Sequence, residues 1–157
     1  MKSRFVTIDP GLKHLGWAVF ESNKEKPIAS GTLSPPRKVD WLHRLEWLVE
    51  KLSELIKEHD PSLIIIEEPQ LFMSSAKGSS ASASGSVLKL TALVHSLKVL
   101  GEWVYACEVK LIKVSRWKGQ VPKHIMHKRL GLTEVSEISL DEADAIALGL
   151  WYMRKCL

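Results

Sequence analysis

Carboxylates stand at the points where this chain turns from apolar to polar. Asp9 closes the strand-like run Arg4–Asp9, immediately before Pro10-Gly11, and Glu67 and Glu68 follow the apolar residues 63–66. Asp141 and Asp144 lie three residues apart at the head of a helix-patterned segment, a spacing that puts both on one face. Each has an ordinary use. Asp opens turns by bonding the backbone two residues on, Asp141 suits an N-cap, and Asp144 is favoured by the helix macrodipole. Together they are also a set of hard oxygen donors, the kind that holds Mg²⁺ along with water and substrate phosphates. Two such ions about 4 Å apart can activate a water and stabilise the leaving oxygen in phosphodiester hydrolysis.

The charge pattern points to the same class of substrate. Residues 109–133 carry seven Lys or Arg (Lys110, Lys113, Arg116, Lys118, Lys123, Lys128, Arg129) and no Asp or Glu, with His124, His127 and Trp117 among them. Such cations displace counterions condensed on a phosphate backbone, and an interleaved ring can stack on a base. Trp117 suits either that stacking surface or a core anchor. The net charge of +4 is modest, so its concentration in one tract carries the argument.

The elements that must position these residues can be read from periodicity and breakers. The 157 residues, 45% hydrophobic and 25% charged, fit one globular domain spanning 1–157. No apolar run approaches the roughly 20 residues of a membrane span, so no membrane partner is expected. The N-terminus has no signal-peptide pattern. Cys107 and Cys156 lack metal-site spacing and fit a reducing, cytoplasmic setting. Glycine-rich phosphate loops are absent, so no nucleotide cofactor is expected.

Segments 4–9, 15–21 and 27–33 read as an antiparallel meander. Asp40 reads as the N-cap of a helix with Trp41, Leu45, Leu48, Leu52 and Leu55 on one face, ended by Asp60-Pro61. Residues 63–66 read as a buried parallel strand. The small-residue stretch 74–86 reads as a mobile loop, 87–100 as a helix, 103–109 as a strand, and Pro122 to Gly131 as a short helix with its stop. A last helix runs from about Leu140 to Lys155. The fold class expected is α/β, a mixed five-stranded sheet with helices on both faces.

Three segments, TIDPGLKHLGWAV, LIIIEEPQLFM and LDEADAIALGLWY, resemble the acidic motifs of the RuvC-type Holliday-junction resolvases, in family order over nearly the whole chain. These are members of the ribonuclease H-like nuclease superfamily. The resemblance implies a ribonuclease H-like fold, a homodimer, two Mg²⁺ or Mn²⁺ ions per active site, and paired nicks across four-way DNA junctions. Another branched DNA or RNA is the alternative substrate. Carried over by position, Asp9, Glu67, Asp141 and Asp144 would be the catalytic metal ligands. Glu67 is taken over Glu68 because it directly follows Ile66, as the family's acid follows its last strand residue. SRWKGQVPK resembles the compact virus-encoded members, which implies that Lys118 and Lys123 approach the scissile phosphate, Lys118 as a catalytic group. Phe72 resembles the base-stacking aromatic and would wedge into the crossover. Lys77, Arg116 and Lys128 would complete the DNA contacts. Leu88, Val94, Leu97 and Leu100, on the helix at 87–100, are expected to form the dimer interface.

Overall fold

Strand β1 (Arg4–Asp9) buries four consecutive residues, Phe5 to Ile8, and so must satisfy its backbone with a strand on either side. The computed structural model of the chain describes residues 3–69, 80–119, 123–129, 131 and 138–156. β2 (Leu15–Glu21) pairs antiparallel with β1, and β3 (Ala29–Leu33) antiparallel with β2. β4 (Leu63–Glu68) lies parallel to β1 on its other side, and β5 (Glu108–Lys113) parallel to β4. The sheet order is β3-β2-β1-β4-β5, the mixed five-stranded sheet expected.

Helices cover both faces. Against α1 (Trp41–His59) and α2 (Ser80–Val99) pack Val6, Ile8, Val19, Ile64 and Ile66, met by Leu48, Leu52, Leu93 and Leu97. Against α5 (Leu140–Cys156) pack Phe5, Phe20, Ile65 and Ile112, met by Ala145, Ala147, Leu148 and Tyr152. Two short helices, α3 (Val114–Trp117) and α4 (Lys123–Arg129), connect β5 to α5. The boundaries of α1 follow the local signals. The Asp40 carboxylate accepts the His43 backbone N–H at 3.0 Å, a bond that holds its carboxyl below the usual carboxylate range. At the other end Asp60 takes the left-handed conformation, φ 45°, and its N–H bonds to Ile56. Gly131, with φ 73°, donates its N–H to Lys128 at 3.1 Å as the stop after α4.

Four expectations change. The loop expected at 74–86 is helical from Ser80 on, as the first turns of α2; alanine's high helix propensity outweighs its lack of bulk there. The strand expected at 103–109 lies instead at Glu108–Lys113, because α2 runs on into a π-helical turn, Leu100–Val104, that takes up Trp103. β3 starts at Ala29 rather than at 27, past Pro27, which cannot donate to a ladder. Finally, Val94 and Leu97 are buried in the chain's own core and Leu100 packs against it, so these three do not form an outer surface. Leu88 alone of the expected interface residues is exposed.

Candidate active site at the strand ends

Strand parity brings two of the acids together. β1 and β4 run in register from Phe5↔Leu63 to Ile8↔Ile66, so Asp9 and Glu67 are the next residues on adjacent parallel strands. Side chains alternate across a sheet. Val6, Ile8, Ile64 and Ile66 face α1 and α2, which leaves Asp9 and Glu67 with Phe5 and Ile65 on the α5 face. Glu68, one residue on, falls on the opposite face. The site lies at the carboxyl ends of the parallel strands, where open α/β sheets place their ligand crevices.

The other two acids arrive on α5, whose start is held unusually close to the sheet. Asp9 pairs with Gly16 on β2, and a Cβ on Gly16 would stand 1.9 Å from the Asp141 carbonyl oxygen. Only a glycine lets the backbone at Asp141 come that near. Two residues before Asp9, the Thr7 hydroxyl donates to the Ala145 carbonyl at 2.7 Å, fixing the next turn of α5 on β1. Ser139 is the cap: its Oγ accepts the Glu142 N–H at 3.0 Å and its carbonyl accepts that of Ala143 at 2.9 Å. Ser30 adds a bond from β3 to the Glu142 carboxylate, 2.7 Å. Asp141 is therefore released from the capping role its position allowed.

A chain of polar contacts runs between the strand acid and the helix acid. The buried Trp117 donates its indole N–H to Glu67 Oε2 at 3.1 Å. Lys118 holds its ammonium 5.4 Å from the Trp117 ring centroid and 3.8 Å from Asp144 Oδ1. His127 Nε2 lies 2.8 Å from the same oxygen. Asp144 is only 2% exposed, and a carboxylate so buried needs such partners. Glu67, Trp117, Lys118, Asp144 and His127 thus form one continuous polar path across the end of the sheet.

The structure sorts the predicted residues accordingly. Asp9, Glu67, Asp141, Asp144 and Lys118 all lie at this end of the sheet. Arg116 and Lys128 are exposed, and Lys123 opens α4. Phe72 and Lys77 lie outside the described residues. Trp117 is a core anchor rather than a stacking surface, because its ring is enclosed by Ile112 and α5. His127, counted in the sequence only as one more cation, is a buried partner of Asp144 instead. Nothing local signals it, since the contact joins residues 17 apart through tertiary packing.

Among the described residues no three His, Cys, Asp or Glu side chains stand together as a ready-made metal-ligand group. The donor chemistry nevertheless suits a hard divalent cation: oxygen donors only, carried at one end of the sheet by β1, β4 and the helix that covers them. A cation there competes with Lys118 and His127 for Asp144. Among the described residues no helix is long and apolar enough to cross a membrane.

Comparison with known proteins shows the family and the fold. The family described as crossover junction endodeoxyribonuclease RuvC matches residues 5–152. A crossover junction endodeoxyribonuclease RuvC of Hyphomonas neptunium is 32% identical over 155 residues, covering 94% of this chain and 88% of the relative. That of Caldanaerobacter subterraneus is 28% identical over 149 residues, covering 94% and 90%. Among solved structures, T. thermophilus RuvC in complex with Holliday junction substrate superposes with a TM-score of 0.70 at 18% identity, covering 97% of this chain and 95% of that one. The yeast mitochondrial Holliday junction resolvase Ydc2 does so with 0.65 at 16% identity, covering 98% and 78%. The chain belongs to the RuvC family of crossover junction endodeoxyribonucleases.

Proposed function

We propose that this chain resolves four-way DNA junctions by paired, metal-dependent nicks. The observation that carries the reading is the convergence of Asp9, Glu67, Asp141 and Asp144 at one end of the sheet, with Lys118 beside Asp144. These four carboxylates are the groups that would hold two Mg²⁺ or Mn²⁺ ions. The chemistry such ions supply when bound is activation of a water and stabilisation of the leaving oxygen. Trp117 sets the orientation of the Glu67 carboxylate, and His127 that of Asp144. Lys118 supplies a cation where a scissile phosphate would sit. Arg116 and Lys128, both exposed, add positive surface, Lys123 and Lys77 are assigned as further DNA contacts, and Phe72 is assigned to the crossover.

Paired nicks need two sites, and we assign the dimer interface to the outer side of α2. Leu88 and Val99, with Trp103 and Val104 in the π-helical turn, are exposed, Trp103 by 83%. Leu88, Ala92, His95, Val99 and Trp103 recur at helical spacing, which makes one stripe. A buried reduced thiol at Cys107, pushed up in pKa by that burial, is in keeping with the cytoplasm.

The deciding experiment incubates purified protein and Mg²⁺ with a synthetic four-way junction, its matched linear duplex and an RNA–DNA hybrid. Symmetric nicks with 5′-phosphates in the junction alone are expected, and Asp9→Asn should abolish them with junction binding intact. Preferential cleavage of the hybrid would move the substrate to RNA; an active Asp9→Asn would remove that residue from the site.

A further inference from the structure

Against Asp141 and the turn that follows Asp9 lies a cleft of about 460 Å³, whose lining includes neither Lys118 nor His127. Four segments wall it: the turn that follows Asp9, the first turns of α1 with Trp41 and Arg44, α2 with Ser86 and Lys89, and the start of α5 with Asp141. Asp141 is the one acid in the lining, against Lys13, His14, Arg44 and Lys89. Two of those groups are already engaged. Arg44 donates to the carbonyls of Arg37 and Val39 at 2.7 and 3.1 Å, and His14 Nδ1 lies 2.9 Å from Ser34 Oγ. Lys89 differs: its ammonium is held 5.7 Å from the Trp41 ring centroid. A ring steers an ammonium without using its hydrogen-bond donors, so among the described residues the three N–H groups of Lys89 remain available to an anion. The stem loses less freedom on binding than an unrestrained lysine would.

We propose that this cleft is a second strand-binding subsite, in which Lys89, positioned by Trp41, holds a DNA backbone phosphate flanking the one to be cut. The inference rests on the nuclease reading above, because that reading makes a DNA backbone the anion beside Asp9 and Asp141. It adds a cationic contact from α2 to those of the 109–133 tract, so the strand is held from two parts of the molecule rather than from that tract alone. Phosphate contacts of this kind set register and orientation without reading sequence.

The test is the salt dependence of binding to a four-way junction and to its linear duplex, measured for Lys89→Gln, Lys89→Arg and Lys57→Gln. Lys57 is exposed in the last turn of α1, at the opposite end of that helix. Lys89→Gln should flatten the plot of log affinity against log salt by about 0.9, the slope of one duplex phosphate contact. Lys89→Arg should restore the slope, and Lys57→Gln should leave it alone. A Lys89→Gln slope no flatter than that of Lys57→Gln would overturn the subsite. So would an equal loss in Lys89→Arg, because the missing quantity would then be packing rather than charge. Failure of the wild-type protein to nick junctions would count against the nuclease reading alone, since the slope on linear duplex still decides the cleft.

Discussion

Against α1 and α2 the sheet presents Val6, Ile8, Val19, Ile64 and Ile66, met by Leu48, Leu52, Leu93 and Leu97. Against α5 it presents Phe5, Phe20, Ile65 and Ile112, met by Ala145, Ala147 and Leu148. The first face is filled by branched aliphatics from both sides. On the second, α5 contributes small residues at its closest points: a Cβ on Gly149 would come within 2.1 Å of the Phe20 ring. Small residues let the helix backbone approach the strands, and at Gly16 that approach sets Asp141 beside the strand that carries Asp9. One face therefore contributes stability, while the other trades side-chain bulk for the positioning of carboxylates.

Substitutions on the two faces should separate these contributions. Leu93→Ala, at a fully buried position on α2, should lower stability by about 2–5 kcal/mol, as such truncations do. Cleavage per folded molecule at low temperature should be unchanged, and loss of cleavage in the folded variant would blur the division. Gly16→Ala should lower stability less, by about 1–3 kcal/mol, yet lose most cleavage even where folded, because the Asp141 backbone must move away. Denaturant melts set beside single-turnover rates would show it, and normal cleavage would mean that the tight approach is not needed. Trp117→Phe should be mildest, about 1–2 kcal/mol for the lost bond to a carboxylate. It should reduce kcat with little change in KM, whereas a purely structural Trp117 would leave both unchanged in the folded protein.

What could be read from sequence was whatever is encoded within a few residues. Asp40 at a helix start, Asp60-Pro61 at its end and Asp9 before Pro10-Gly11 are signals of this kind, and α1 and β1 fall where they indicate. Alternation within β4 also separates Glu67 from Glu68 once the strand is recognised, although only the packing of Ile64 and Ile66 says which face meets α5. The displaced element is β5, where Trp103, Val104 and Tyr105 look like a strand but Trp103 and Val104 continue a helix that Tyr105 caps. Gly101 allows that continuation by lying flat against Val109 and Ile64, a contact invisible before folding. His127 and Lys89 were hidden for a related reason, because their meaning depends on Asp144 and Trp41, which belong to other segments.

On this reading the carboxylates on the α5 face, and not their neighbours on the other face, hold the metal used to cut DNA. Glu67 and Glu68 test it within one strand, being adjacent, chemically identical and on opposite sides of the sheet. Junction cleavage should be measured for Glu67→Gln and Glu68→Gln across a Mg²⁺ titration, with junction binding measured in parallel. The account predicts that Glu67→Gln binds junctions and does not cut them at any Mg²⁺ concentration, while Glu68→Gln cuts like the wild-type protein. An inactive Glu68→Gln beside an active Glu67→Gln would contradict it.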